Sequence, residues 1–486
     1  MSALASLSPT SVWSHFDALT RCPRPSGEEA AAIAYVREVA DARGWTVTAD
    51  ARGNLFVDVP ATAGRESAPV VMLQAHLDMV CEKNSDIEFD FSKDPIRTRV
   101  DGEWVAADGT TLGADNGIGV AAALAAGDGG ERPHGPLRLV FTLDEETGLT
   151  GAAQLDGSLL TGDLLLNLDS EEDGALCIGC AGGADAHIRL PLERTAPSEG
   201  WTWVRLRVCG LKGGHSGINI HENRGNAVRL VVRCLRRFAA GGPWALAELG
   251  GGGKHNAIPR EADAVLGFPT ERESAWRDVV DGCRVAFAGE LPPIESGFAL
   301  ESEPAERPDR VVVDRDAAKL LQLVTALPHG VLAMSHDVPG LVETSNNVAI
   351  VALDADGARI VTSARSNIDS KKLAVLDAQR ALAEALGAEV ELHDGYPGWQ
   401  PDLDSRTLAA AREAYREVWG REPEVGAIHA GLECGLLGER KPGLDMVSFG
   451  PTIEGAHSPD ERVHVPSVAR FWDALGRVLD RLSAPA

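Results

Sequence analysis

Three apolar runs of strand length in the first third of this chain each stop at an acid or a histidine. Val70-Val71-Met72-Leu73-Gln74-Ala75 runs into His76-Leu77-Asp78, and Leu137-Arg138-Leu139-Val140-Phe141-Thr142-Leu143 runs into Asp144-Glu145-Glu146. Leu164-Leu165-Leu166-Asn167-Leu168 runs into Asp169. Near-continuous apolar runs are how parallel strands buried on both faces read, and open α/β sheets place their chemistry at the carboxyl ends of such strands. Charged groups at those ends are costly unless solvated, paired or bound to metal. The pattern therefore predicts an α/β domain with a mostly parallel central sheet and a metal site assembled from strand ends. Asp115-Asn116, which opens the small-residue helical stretch from Gly117 to Ala126, and the distant His457 complete the set.

Other segments fit the same plan. Residues 11–44 read as largely helical, with Ser26 as a helix cap before Glu28-Glu29-Ala30. Trp45 to Asp50 and Gly53 to Pro60 read as a hairpin. After about Gly183 the pattern shifts to alternating strands such as Trp203 to Val208, the signature of sheets with one open face. A weak echo links Asn256-Ala257-Ile258-Pro259 to Ser345-Asn346-Asn347-Val348-Ala349-Ile350, which a duplication or two unrelated strands explain equally well. After about Gly395 the α/β character returns, with a helix from Ser405 to Trp419 and a strand Asp445 to Gly450 whose loop carries His457. A closing helix from Val468 has Ser467 as its candidate cap. The expected organisation is a discontinuous catalytic domain of residues 1–184 and 395–486, interrupted by an inserted α+β lid domain of residues 185–394.

A chain of 486 residues is too long for one simple core. With 72 acidic against 46 basic residues it carries a net charge of −26, which argues against nucleic acid or an anionic membrane as partner. The N-terminal stretch lacks the basic and apolar regions of a signal peptide, and no segment has the apolar length of a membrane span. Eight scattered cysteines suit reduced thiols and a cytoplasmic location; Cys177-Ile178-Gly179-Cys180 reads as a packed strand and turn.

His76, Asp115, Glu146, Asp169 and His457 offer two imidazoles and three carboxylates, a donor set suited to zinc. Two metals about 3.5–4 Å apart need one bridging carboxylate and further terminal ligands, and five ligands fit that count. Asp78 and Glu145 remain free beside them. A free carboxylate near activated water is what a general base requires. Asp78, two residues from His76, can orient that imidazole through its other ring nitrogen. Arg365, ending the run Ile360 to Ala364, offers a fork for a substrate carboxylate, with a rim salt bridge as its ordinary alternative; Asn256 could bind the same carboxylate or the carbonyl. The glycines at 113, 117 and 119 are in the wrong order for a nucleotide loop.

These residues resemble the M20 family of metallopeptidases. The resemblance rests on Ala75-His76-Leu77-Asp78-Met79-Val80, on Thr111 to Gly119, on Asp144-Glu145-Glu146-Thr147-Gly148 and on Asn167-Leu168-Asp169-Ser170-Glu171-Glu172. Within the family it is closest to the aminoacyl-histidine dipeptidases. The phrases Leu211-Lys212-Gly213-Gly214-His215-Ser216-Gly217, Asn256 to Glu261, Gly395-Tyr396-Pro397-Gly398-Trp399, His429 to Leu436 and His457-Ser458-Pro459-Asp460-Glu461 carry that closer likeness. It covers nearly the whole chain. The resemblance implies two zinc ions, with manganese or cobalt as alternatives. It assigns His76, Glu146, Asp169 and His457 as terminal ligands, Asp115 as bridge, Glu145 as general base, Asp78 as the residue orienting His76, and His215 as an oxyanion donor. It further implies a cis peptide between Asp115 and Asn116 and a homodimer contact through a lid edge strand. Asp144 departs from the pattern, which has a neutral residue such as Thr there; it is expected to add charge near the mouth of the site. The implied activity is hydrolysis of dipeptides, Xaa-His among them. An amidohydrolase of the same fold acting on N-acyl amino acids needs the same centre. A catalytically dead peptide-binding protein would have lost a ligand or the base, and every one is present.

Overall fold

The three apolar runs are the strands Val71–His76, Leu137–Thr142 and Leu164–Asn167, almost wholly buried, in a computed structural model of the chain that describes residues 3–128 and 132–484. Val71–His76 lies between the other two and pairs parallel with both. Asp445–Ser448 continues the parallel set beyond Leu164–Asn167. Towards the edges the sheet turns antiparallel: the hairpin Thr46–Ala49 and Leu55–Val59 adjoins Leu137–Thr142, and Ala175–Cys180 adjoins Asp445–Ser448 with Glu424–Ile428 outermost. Register decides what meets at the carboxyl edge. His76 pairs with Thr142, and Asn167 pairs with Gln74. Asp169, two residues past Asn167, therefore comes level with His76.

The helix Ala114–Gly127 delivers Asp115 to the same edge. Its small residues are nearly all buried, and it packs between the helix Thr10–Leu19 and the strand Val71–His76. Asp115 and Asn116 are not helical, and the peptide between them is cis. The surrounding core includes Phe16, Ile118, Phe141, Phe449 and Phe471; full burial of side chains of this size stabilises by about 1.5–3 kcal/mol each.

Three local expectations need correction. Ser26 caps no helix: the second helix is Ala30–Arg43, its N-cap position is Glu29, and the Ser26 hydroxyl is bonded to Asp78 instead. The last helix starts earlier than Val468, at Val465, with Pro466 in its first turn, where a missing N–H costs nothing. Ser467 lies inside that turn and donates to the His464 carbonyl. His457 does not sit on the loop that leaves Asp445–Ser448. It tips a hairpin between Ile453–Glu454 and Arg462–His464, part of a separate four-stranded sheet with Trp104–Ala107 and Thr98–Asp101. By contrast Ser405 caps Arg406–Trp419, accepting the Leu408 N–H at 2.9 Å.

The chain divides into two units. Met1–Cys180, Trp399–Ala427 and Leu432–Ala486 form the one just described; Ala181–Gly398 and Ile428–Gly431 form the other. The second unit is built on a sheet of two halves. One half runs Trp201–Cys209, helix Ala227–Ala239, Ala245–Gly251, Ala262–Pro269, helix Glu273–Glu290, Ala299–Pro304. The other runs Gly182–Pro191, helix Asp314–Ala326, Val342–Leu353, Gly357–Ser366, helix Asp369–Ala385, Glu389–Tyr396. In both, the strands lie in the order fourth, first, third, second, and the two second strands pair antiparallel at Gly250 with Ala352. The first half is thus spliced into the second after its opening strand. The sequence echo is not what relates them: Asn256 to Pro259 falls between the second and third strands of its half, whereas Ser345 to Ile350 lies within a second strand.

Candidate metal centre

His76 is the last residue of its strand and is buried. Its Nε2 lies 3.1 Å from Asp115 Oδ1 and 3.3 Å from Asp169 Oδ1. The other oxygen of the same aspartate, Asp115 Oδ2, lies 3.1 Å from His457 Nε2, which is also 3.1 Å from Glu146 Oε2. One carboxylate therefore has an imidazole and an acid on each side. His457 reaches this position from a left-handed backbone, φ 63°, at the hairpin tip. His76, Asp115 and Asp169 form one group whose ligand atoms lie within 4.8 Å of one another; Asp115, Glu146 and His457 form a second, and His76, Glu145 and Glu146 a third. Glu146 Oε1 and Asp169 Oδ1 are buried and accept no hydrogen bond. Buried anionic oxygens in that condition are stable only with a cation at hand, so the donor set and its unsatisfied oxygens fit a metal centre.

Electrostatics follow from this crowding. The hydrogen bonds from Asp115 and Glu146 push the His457 imidazole up to about 11. Burial would lower His76, but Asp169, Asp115 and Asp78 hold it well above its ordinary value. Burial pushes the Asp169 carboxyl up to about 6, helped by Asp115 and Glu146.

Asp78 is fully buried beside them. Its Oδ1 lies 3.3 Å from His76 Nδ1 and accepts the Glu145 N–H at 3.0 Å; its Oδ2 accepts the Glu146 N–H at 3.1 Å and the Ser26 hydroxyl at 2.7 Å. It thus fixes both the imidazole and the peptide units of the Glu145-Glu146 loop. Burial would raise its carboxyl, but His76, Ser26 and the Glu145 N–H hold it well below the usual carboxylate range. The Glu145 carboxyl takes no part in these bonds, and burial pushes it well above the usual range.

Asp144 has its carboxylate paired within its own loop region. It adopts φ 54°, and its side chain is engaged by Arg52 Nη2 at 2.9 Å and by the hydroxyls of Thr147 and Thr150. Several site residues had no distinctive sequence signal. Glu433 is buried beneath the strands, accepting Gln74 Nε2 at 2.6 Å and the Thr142 hydroxyl at 2.7 Å; burial pushes its carboxyl up to about 7. Glu171 stands at the rim, within reach of Asp115. Glu461 accepts the N–H groups of Leu112, Gly113, Ala114 and Asp115, so a carboxylate stabilises the positive end of the helix that carries Asp115. Gln74 lies on the same strand face as His76 by simple alternation, which is the one hint the sequence held of that lower layer.

In the second unit the residues read as substrate contacts gather around one loop. His215 Nδ1 accepts the Gly217 and Ile218 N–H groups at 3.3 and 3.1 Å, which leaves the proton on Nε2. That Nε2 faces Arg365 Nη2 at 3.4 Å. Two donors pointing together require an acceptor between them. Arg365 is 5% exposed and is held by Tyr396 OH at 2.7 Å and Ser216 Oγ at 3.3 Å. Its side-chain partners, Ser216, Tyr396 and His215, carry no carboxylate. Burial and Arg365 pull the His215 imidazole down to about 4, so it is a neutral N–H donor. Asn256 joins the loop through its carbonyl, which accepts the Ser216 N–H at 2.8 Å. Gly217 cannot carry a side chain: a Cβ there would lie 2.0 Å from the His429 carbonyl oxygen.

The cytosol non-specific dipeptidase of Escherichia coli (strain K12) is 42% identical over 484 residues, covering 100% of both chains. The crystal structure of aminoacylhistidine dipeptidase from Vibrio alginolyticus superposes with a TM-score of 0.95 at 42% identity, over 100% of this chain and 99% of that one. Aminopeptidase PepT from Bacillus cereus shares the fold at a TM-score of 0.58 and 16% identity, over 98% of this chain and 100% of that one. The model of peptidase family M20/M25/M40 matches residues 72–481, and with a full-length relative at this identity the chain belongs to that family.

Proposed function

We propose that this protein is a cytoplasmic dizinc dipeptidase that hydrolyses the peptide bond of dipeptides, Xaa-His among them. The observation that carries the reading is the division of Asp115: one oxygen meets His76, which Asp169 also approaches, and the other meets His457, which Glu146 also approaches. Asp115 would serve both ions, with His76 and Asp169 holding one and Glu146 and His457 the other. When bound, such ions lower the pKa of water towards about 7 and polarise a carbonyl oxygen. Glu145, next to ligand Glu146 yet outside the ligand count, takes the proton of the attacking water and returns it to the leaving amine. Asp78 keeps His76 in the tautomer that leaves Nε2 free to ligate. Arg365 and the His215 Nε2–H supply donors for the substrate's carboxylate and developing oxyanion, with Asn256 beside them. The substrate range is drawn from two names, one relative called non-specific and the other named for aminoacyl-histidine substrates. A broad dipeptide range that includes Xaa-His accommodates both.

Charge and architecture support a small-molecule substrate over nucleic acid, and no helix among the described residues is long and apolar enough to cross a membrane. A homodimer paired through an edge strand of the second unit, Ala299–Pro304 or Glu389–Tyr396, belongs to the same proposal, and light scattering decides it. The deciding assay for activity is a panel of Xaa-His, carnosine, Cys-Gly and N-acetyl amino acids, run on chelated protein restored with zinc, manganese or cobalt. Turnover of dipeptides but not N-acyl amino acids supports the reading. Turnover confined to N-acyl amino acids would replace it with the amidohydrolase alternative.

A further inference from the structure

The segment Arg24-Pro25-Ser26-Gly27-Glu28-Glu29 precedes the residues matched by the family model, which begin at 72. It touches three separate loops of the metal centre with three side chains. The Ser26 hydroxyl donates to Asp78 Oδ2 at 2.7 Å. Arg24 Nη1 donates to the carbonyls of Leu77 and Asp78 at 3.1 and 2.9 Å, and its Nη2 donates to the Gly113 carbonyl two residues before Asp115. Glu29 Oε1 accepts the Asp144 N–H at 3.0 Å, immediately before Glu145, and the Gly27 N–H of its own loop at 2.8 Å. The main chain is tied in as well: the Met79 N–H donates to the Arg24 carbonyl at 3.1 Å. Arg24 and Glu29 are 2% and 4% exposed. Room for the guanidinium is made by missing side chains, since a Cβ at Gly113 or Gly117 would lie 2.4 or 2.8 Å from Arg24 Nη2.

Such an arrangement exceeds what a helix lead-in needs. The helix Ala30–Arg43 takes no side-chain cap from this segment, although Ser26 and Glu29 are of the types that supply one. Their polar groups are spent on the loops bearing Asp78, Asp115 and Glu145. We infer that residues 24–29 are a positioning brace of the metal centre, in which Ser26 acts through Asp78 to set the His76 imidazole, while Arg24 and Glu29 hold the Asp115 and Glu145 loops in register with it. The chemistry is that of an outer hydrogen bond. The Ser26 hydroxyl occupies one lone pair of Asp78 Oδ2, leaving Oδ1 directed at His76 Nδ1. Without it Asp78 Oδ2 keeps only the Glu146 N–H as a partner, and the angle at which Oδ1 meets His76 Nδ1 is less tightly set.

The inference rests on the metal reading of the site, so the test separates the two. Chelated wild type, Ser26→Ala and Ser26→Thr are titrated with cobalt(II), following the visible absorption of the ion, and steady-state kinetics are measured on an Xaa-His dipeptide. Loss of an outer-shell partner typically costs about 10–100-fold in metal affinity or activity. Ser26→Ala should therefore bind at least one cobalt ion about tenfold or more weakly and with an altered spectrum. Its kcat should fall by a similar factor, with KM changed by less than about twofold. Ser26→Thr, which keeps the hydroxyl, should recover both spectrum and kcat. The melting temperature of the metal-free protein should be nearly the same in all three, which a purely structural role would not give. Glu29→Met, which removes the acceptor at similar size, is the second route, with the same pattern of lower kcat and unchanged KM. A wild type that takes up no cobalt would overturn the reading of the site and the brace with it. Normal cobalt binding by wild type, with Ser26→Ala indistinguishable in affinity, spectrum and kcat, would overturn the brace alone.

Discussion

Arg365→Met should separate recognition of the substrate's carboxylate from everything else the second unit does. The guanidinium is buried, anchored by Tyr396 and Ser216, and faces the His215 N–H across 3.4 Å. Methionine fills much of the same volume and removes only the charge and the fork. A hydrogen bond to a charged group contributes roughly 1.5–3 kcal/mol. At about 1.4 kcal/mol per tenfold, its loss should reduce kcat/KM for a free dipeptide by about 10–150-fold. A C-terminally amidated dipeptide offers the fork a neutral oxygen in place of a bidentate ion pair, so its kcat/KM should fall by less. The ratio of the two losses is the measured quantity, and it should exceed one. It is insensitive to any general damage, which lowers both rates together. Kinetics on an Xaa-His dipeptide and its amide, for wild type and variant, give it directly. Equal losses on the two substrates would show that Arg365 does not read the carboxylate, and the paired donors would need another acceptor.

Glu145→Gln should bind cobalt as wild type does and lose about 10²–10⁴-fold in kcat, checked by metal analysis beside kinetics; near wild-type turnover would end its assignment as general base. Asp115→Ala should weaken both ions and abolish most of the zinc-dependent rise in melting temperature, because ligand linkage disappears with affinity; tight retention of two zinc ions would place the bridge elsewhere. His329 gives a pH prediction away from the metals. Its Nδ1 accepts the Val348 N–H at 3.3 Å, and burial with Arg229 pulls the imidazole down to about 3. The folded protein therefore keeps it neutral while the unfolded chain takes up a proton below about pH 6.5. The group's contribution is complete above that pH and is lost as pH falls towards 3, by roughly 1 kcal/mol per unit. His329→Asn should flatten that part of the stability profile in urea melts between pH 7 and pH 5.

The parallel strands and the acids at their ends are legible because burial on two faces leaves a chain little choice but Val, Ile and Leu until the strand stops. A charged or imidazole side chain placed directly after such a run needs a partner, and His76, Glu146 and Asp169 each stand in that position. Ser26 defeats the same kind of local rule. A serine ahead of Glu-Glu-Ala is a good helix cap, and nothing in the neighbouring sequence shows that Asp78, fifty-two residues on, offers its hydroxyl a better partner. Glu461 and Glu433 do not stand out for a related cause: a carboxylate that accepts backbone N–H groups from a distant helix looks, in one dimension, like any other acid. Asp144 is turned by its left-handed backbone towards Arg52, a direction that its place beside Glu145 does not reveal. The halves of the second unit share topology without shared spelling, so the echo of Asn256 in Ser345 points at positions that the fold does not equate.

That two-half sheet has a stoichiometric consequence. His215 comes from the loop after the first strand of one half, and Arg365 from the third strand of the other. The donor pair exists only where unlike halves meet. Two identical modules docking through their second strands would make the pair twice, once on each side of the symmetry axis. Covalent splicing releases each half from having to serve both sides, so one copy can keep the imidazole and the other the guanidinium. The chain should accordingly bind one carboxylate ligand at this position per polypeptide, a number that equilibrium titration with a non-hydrolysable dipeptide analogue reads without reference to how many chains assemble.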